Sequence, residues 1–193
     1  MAFKVLGISS STRESSFSKI GLKMTLEKIK DAETELLDLG ENVLPMFSPV
    51  NNESDVIAKV TNMVKNADAF ILATPDYHGS MSGSMKNFLD YYWSEFAGKL
   101  FGYICASHEK GLTAMDQMRT AVRQCNGWSM PYGVSINGDE DCDENRNITN
   151  DKLNIKLGML ARDLTTYGKL IKEQFTKDLN DTNSNMFASN YRS

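Results

Sequence analysis

Three stretches of this chain group side chains that do chemistry together. The first, Ser9 to Ser18, reads SSSTRESSFS, seven hydroxyls and one arginine between an apolar run and a helical pattern. A helix N-terminus offers free N–H groups and the positive end of the helix dipole, and both favour an anion. Hydroxyls add donors, and Arg13 adds a planar fork suited to phosphate. The stretch is not a Walker loop, because no Gly-Lys-Ser/Thr closes it. It is not G-x-G-x-x-G either, because Gly7 stands alone. Two readings remain: a phosphate site built from hydroxyls rather than glycines, or a capped helix start with spare serines.

The second stretch is TPDYHGSMSGSMKNFLDYYW, Thr74 to Trp93. Pro75 stiffens the exit from a strand, and Tyr77 offers an aromatic surface to a planar ring. Gly79 and Gly83 let the backbone approach a flat ligand closely. Ser82 or Ser84 caps the helix that follows. The plain alternative is a tight turn with a core tyrosine. The third stretch, SHEKGLTAMDQMR from Ser107 to Arg119, offers His108 and Lys110 as donors and Gly111 as a flexible point. His108 reads either as a ligand contact, since loops carry functional residues, or as an ordinary surface residue.

These stretches need elements to hold them. Residues 3–8 (FKVLGI), 34–39 (TELLDL), 69–74 (AFILAT), 99–107 (KLFGYICAS) and 130–138 (MPYGVSING) read as short strands. The last is weakened by Pro131 and Gly133. Between them run amphipathic patterns: Ile20 to Ile29, Val56 to Val64 with Ser54 as cap, Met85 to Tyr92, and Leu112 to Val122. A long final helix steps through Leu153, Leu157, Leu160, Leu164, Tyr167 and Ile171. DEDCDEN, Asp139 to Asn145, is expected to be a solvated acidic loop. Strand and helix alternate, which predicts an α/β fold with a parallel sheet and helices on both faces. Loops after the carboxyl ends of the strands then share one rim, and the three stretches fall on it. We expect one domain over residues 1–176 and a loose polar tail over 177–193.

Composition narrows the classes. Of 193 residues, 41% are hydrophobic and 24% charged, and the net charge is −4. A mildly acidic chain without long basic runs is not expected to bind nucleic acid. No apolar run reaches the roughly 20 residues of a membrane span. The start, MAFKVLGISSS, lacks a signal-peptide pattern, and Cys105, Cys125 and Cys142 form no spacing motif for metal or disulfide. The expectation is a reduced, cytoplasmic protein without a metal.

The order of these units and the two rim motifs resemble the NADPH-dependent FMN reductase family. Its first loop reads Gly-Ser-x-Arg-x-x-Ser-x-Asn, and Ser11, Arg13, Ser16 and Ser18 occupy that pattern, with Ser18 in place of Asn. Its second motif reads Pro-x-Tyr-x-x-Ser, then glycine and Lys-Asn, matched by Pro75, Tyr77, Ser80, Gly83, Lys86 and Asn87. The resemblance spans about residues 3 to 137. It implies a three-layer α/β/α flavodoxin-like fold, with a parallel five-stranded sheet of order 2-1-3-4-5. It also implies FMN as cofactor and NADPH or NADH as electron donor.

By position, Ser11, Arg13, Ser16 and Ser18 are then expected at the FMN phosphate. Pro75, Asp76, Tyr77, His78 and Gly79 are expected along the isoalloxazine, with Ser107, His108 and Gly111 on its other side, and Ser9, Phe17 and Ser80 are also expected among the cofactor-binding residues. His78 stands where the family commonly has Asn. The implied activity passes hydride from a nicotinamide to N5 of FMN, then electrons to a small acceptor such as flavin or quinone. No side-chain nucleophile is required. Backbone N–H groups near Gly79 and in the third loop, with His108, are expected to face charge on the reduced ring. A flavodoxin-type electron carrier and a ligand-free interaction module are the competing readings. The family's habit of assembling as dimers or tetramers makes Tyr91, Tyr92 and Trp93 candidates for a subunit contact.

Overall fold

A computed structural model describes residues 2–50, 53–182 and 185–191. Its centre is a parallel sheet built on β1 (Lys4–Ser9), β2 (Glu33–Asp38), β3 (Ala69–Pro75) and β4 (Leu100–Ala106). Two short segments, β5 (Trp128–Ser129) and β6 (Val134–Ile136), pair with β4. The order is β2-β1-β3-β4-β5, with β6 beside β4 further along. The 2-1-3-4-5 order implied by the resemblance is therefore the observed one. The fifth strand differs from the expected continuous run: it is split in two. The Met130 N–H still donates to the Phe101 carbonyl at 2.8 Å, and strand pairing with β4 resumes only at Val134, past Pro131 and Gly133.

The strands are apolar on both faces because helices cover both. Along β3 every residue from Ala69 to Pro75 is buried. Alternate side chains go to opposite sides, as strand geometry requires. Phe70 and Leu72 join one core, and Ile71 and Ala73 the other. The first core packs under α2 (Asp55–Asn66), α3 (Gly83–Asp90) and α4 (Leu112–Gln124). Phe70 stacks on Phe101 there, ring centroids 4.6 Å apart, a contact worth about 1 kcal/mol beyond area burial. The second core lies under α1 (Phe17–Lys28) and α6 (Asp151–Asn180), which pack on each other. Ser54 and Ser82 cap α2 and α3 as read, accepting from the N–H groups of Ile57 and Met85.

Two regions depart from the reading. Residues 139–145 are not simply a solvated loop: Gly138–Asp141 forms a short helical turn, α5, and Asp141 is buried. Its carboxylate accepts from the Asn137 N–H at 2.8 Å and from the Asn150 amide at 2.6 Å, so it is satisfied inside. The tail expected from Lys177 also begins differently. Helix α6 continues to Asn180, and a 3-10 turn at Phe187–Tyr191 folds back on it. Phe187 and Tyr191 meet the ring of Phe175, and the Asn126 amide donates to the Tyr191 hydroxyl at 2.5 Å. Aromatic residues inside a polar stretch anchor it.

Register aligns the strand ends. Ser9 lies beside Asp38 and Ala73, Pro75 beside Ala106, and Ala106 beside Ile136. The segments that follow Ser9, Pro75, Ala106 and Ile136 therefore meet on one edge of the sheet.

Candidate functional site

Those four segments enclose an open cleft of about 760 Å³. Its size falls within the roughly 300–1,000 Å³ of small-molecule sites. It also lies where open α/β sheets bind ligands, outside the carboxyl ends of the strands.

At one end the hydroxyl-rich segment leads into α1. Ser11, Arg13, Ser16 and Phe17 line the cleft. Ser11 is buried, and its Oγ accepts from the Arg13 N–H at 3.2 Å. Ser16 is the N-cap of α1, yet its side chain makes no capping bond. Its Oγ pairs instead with Ser18 Oγ at 2.8 Å. The opening N–H groups of α1 thus have no side-chain cap, unlike those of α2 and α3. That leaves the helix end available to an anion.

The loop is braced from beneath. Ser82 Oγ donates to Ser10 Oγ at 2.8 Å, and Ser84 Oγ to the Ser10 carbonyl at 2.6 Å. Lys19 in α1 pairs with Asp38 at the end of β2, both nearly fully buried. Ser9 and Ser18 are buried and do not line the cleft. Among the described residues, Ser9 Oγ has no hydrogen-bond partner.

At the other end Pro75, Asp76, Tyr77, His78 and Gly79 line the cleft. Tyr77 and Ser80 exchange backbone hydrogen bonds at 2.9 and 3.1 Å. Between them His78 and Gly79 have φ of 56° and 76°. Positive φ at both central residues defines a type I′ turn. Asn and His are both among the residues enriched in left-handed backbone, so His78 meets the same demand as the Asn it replaces.

Asp76 fixes this turn: Oδ1 accepts from the Gly79 N–H at 2.8 Å, and Oδ2 from Ser107 Oγ at 2.9 Å. The Gly79 N–H is therefore committed to Asp76 and not offered to a ligand. Among the described residues the His78 N–H makes no hydrogen bond, so it is the donor this turn presents. Tyr77 stays 44% exposed, on the cleft rather than in the core. Ser80 does not line the cleft; its Oγ donates to Gln117 Oε1 at 2.8 Å.

Ser107, His108 and Gly111 line the facing side. Gly111 is the N-cap residue of α4, with φ 59°, so it is a fixed corner rather than a flexible point. His108 Nδ1 lies 3.5 Å from Asp139 Oδ2, and both side chains are largely exposed. Lys110 is not part of the lining. Cys105, under this loop on β4, has a thiol that burial pushes up to about 12, with the Asp76 carboxylate adding to the shift.

The sequence reading missed the fourth wall. Ile136, Gly138 and Arg146 line the cleft beside Phe17. A Cβ at Gly138 would stand 2.1 Å from the Phe17 ring, so only glycine permits that approach. Glu109, Leu112 and Thr113 complete the third-loop side. The signal in the sequence is positional: Gly138 and Arg146 follow the last strand, on the same rim as the other three loops.

A profile of the family described as NADPH-dependent FMN reductase matches residues 3–141. An NADPH azoreductase of Bacillus sp. (strain OY1-2) is 32% identical over 111 residues, 55% of this chain and 62% of the relative. An FMN-dependent NADPH-azoreductase of Staphylococcus aureus (strain USA300) is 33% identical over 118 residues, 56% and 62% of the two chains. The chain thus spans a little under two thirds of the length of these curated relatives.

Among solved structures, a flavoenzyme NAD(P)H:(acceptor) oxidoreductase from Paracoccus denitrificans superposes with a TM-score of 0.70 at 16% identity. It covers 88% of this chain and 98% of its own. A WrbA-like flavodoxin from Agrobacterium tumefaciens gives a TM-score of 0.58 at 16% identity, over 86% and 99%. Both show the flavodoxin-like fold. The sheet order, the two rim motifs and the profile over residues 3–141 agree, and the chain belongs to the NADPH-dependent FMN reductase family.

Proposed function

We propose that this chain is an NAD(P)H-dependent FMN oxidoreductase that passes electrons from a nicotinamide donor to a small acceptor. The observation that carries the reading is one cleft joining the uncapped start of α1 to a tyrosine-bearing turn. The residues fit the cofactor. Ser11, Ser16 and Arg13, with the opening N–H groups of α1, would hold the phosphate of FMN. Pro75 to Gly79 would flank the flat ring, with Ser107 and Gly111 opposite. Bound there, FMN supplies reversible two-electron chemistry.

The chain's own residues bind and orient. Asp76 holds the turn and the third loop in fixed relation. The His78 N–H presents a donor to the cleft, and Tyr77 offers an aromatic face. No ionisable side chain is required as nucleophile. The relatives named as NADPH azoreductases support NADPH as donor and an azo compound beside flavin and quinone as acceptor.

Anaerobic mixing of FMN-loaded protein with NADPH tests the proposal. Rapid bleaching of the flavin absorbance is expected. A protein that binds FMN but is not bleached by NADPH or NADH is an electron carrier instead. A protein that takes up no FMN is neither.

A homodimer or homotetramer is part of the same proposal, and of the three aromatic residues Tyr91, Tyr92 and Trp93 the structure leaves one for its surface. Tyr92 is in the core, and the Tyr91 hydroxyl donates to the Pro45 carbonyl at 2.8 Å. Trp93, 65% exposed, is left as the candidate contact. Light scattering on the eluted protein decides, a monomer removing this part.

A further inference from the structure

The segment from Gly138 to Asn150 carries five carboxylates and a single cation, Arg146. Beside an anion-binding loop such a segment is adverse on charge alone. The fold sorts those charges. Asp141 turns inward to Asn137 and Asn150. Asp143 turns back on its own loop, accepting from the Asn147 N–H at 2.8 Å and side-chain amide at 3.0 Å. Asp139 faces His108. Arg146 alone of the ten-residue stretch 137–146 brings positive charge to the cleft.

Its placement is built. The Arg146 N–H donates to the Asp143 carbonyl at 2.8 Å, in a turn that holds Arg146 at φ 64°. The guanidinium lies 5.1 Å over the Phe17 ring and donates to the Ser15 carbonyl. Ser15 stands between Arg13 and Ser16, which line the same cleft. A guanidinium carries five N–H donors. Arg146 spends one on Ser15, and among the described residues it forms no ion pair.

We propose that Arg146 is a phosphate-binding residue of this cleft, a second guanidinium pinned to the hydroxyl-rich loop beside Arg13. This rests on the flavin reading above. The chemistry it recognises has two sources, the phosphate of FMN and the 2′-phosphate of NADPH.

Two variants separate charge from packing. Arg146→Met keeps aliphatic bulk over Phe17 without charge, and Arg146→Lys keeps charge without the fork. Both, with wild type, are titrated with FMN and with riboflavin, which differ only in the phosphate, by quenching of flavin fluorescence. They are also assayed with NADPH and NADH, which differ only in the 2′-phosphate. The Met variant is expected to lose about tenfold on a phosphate-bearing ligand relative to its phosphate-free counterpart, the size of one charge-assisted hydrogen bond. The Lys variant should fall between.

Loss on FMN but not riboflavin assigns the flavin phosphate. A fall in the NADPH-to-NADH ratio of kcat/KM, with FMN affinity unchanged, assigns the 2′-phosphate. Losses on both pairs assign both. Equal losses on FMN and riboflavin with a constant nicotinamide ratio make Arg146 a wall residue only and overturn the proposal, as does no change with any ligand. Wild-type protein that takes up no FMN removes the flavin reading and this one with it. Wild type that binds FMN beside indifferent variants removes this one alone.

Discussion

Ser107 Oγ donates to one oxygen of Asp76 at 2.9 Å, while the other oxygen of Asp76 accepts the Gly79 N–H at 2.8 Å. One carboxylate therefore joins the loops that follow two neighbouring strands. Replacing it with alanine leaves a turn N–H and a hydroxyl without their charged acceptor. Hydrogen bonds to charged groups contribute about 1.5–3 kcal/mol each. Asp76→Ala should weaken riboflavin binding by roughly tenfold or more, because the flat end of the cleft loses its fixed width. Titration of riboflavin fluorescence measures this, and an unchanged affinity would show that the loops keep their places unaided.

Gln117 on α4 supports the same turn from outside the cleft. Its Oε1 accepts from Ser80 Oγ at 2.8 Å and from the Met81 N–H at 3.3 Å. Gln117→Leu removes the acceptor and strands the Met81 N–H, at a cost of about 1–3 kcal/mol. For a chain of this size, each kcal/mol lowers Tm by about 2–4 °C. Gln117→Glu keeps the oxygen and should retain most of the stability. Thermal melts of the three proteins check the ordering, and equal melting of the Leu and Glu variants would contradict it.

The buried pair of Lys19 and Asp38 lies beneath the hydroxyl-rich loop. Asp38 Oδ1 also accepts from the Gly40 N–H at 2.9 Å. Removing one partner of a buried pair leaves an uncompensated charge, a loss of about 3–5 kcal/mol, while replacing both is far milder. Lys19→Met should lower the urea midpoint strongly, and Lys19→Met with Asp38→Leu should recover much of it. A double variant no better than the single one would show that Asp38 matters here through Gly40.

Lys99 gives a pH dependence. Burial brings its ammonium down to about 8, and its Nζ donates to the Val64 carbonyl at 3.0 Å. The unfolded chain holds that proton up to about 10.4. Between these values the unfolded state binds more protons, so this group makes stability rise with pH across the window. Urea unfolding at pH 7.5 and 9.5 should show wild type gaining relative to Lys99→Met. A difference between the two proteins that is constant across that interval would count against the assignment.

Much of this was legible in the chain. Buried strands such as Ala69 to Pro75 announce themselves by unbroken apolar runs, and Ser54 and Ser82 by their place before helical patterns. The two rim motifs were readable because each is contiguous. What was not readable depended on long-range direction. Ser18 and Ser80 sit in motif positions, yet their hydroxyls meet Ser16 Oγ and Gln117 Oε1, Ser9 Oγ is buried without a partner among the described residues, and no local pattern encodes that. Arg146 meets Ser15 across 131 positions of sequence, from within a run whose composition signals solvent. Pro131 and Gly133 mark the fifth strand as weak, but its division into two pieces depends on how each piece finds β4.

The position of Phe17 has a temporal consequence. Its ring is held between Gly138 and Arg146, both supplied by the second half of the polypeptide. During synthesis the hydroxyl-rich loop emerges long before its opposing wall exists. That end of the cleft is thus completed last in chain order, and a nascent chain on the ribosome presents only half of it. A ligand that needs both walls can be held there only once the second half of the polypeptide has been made.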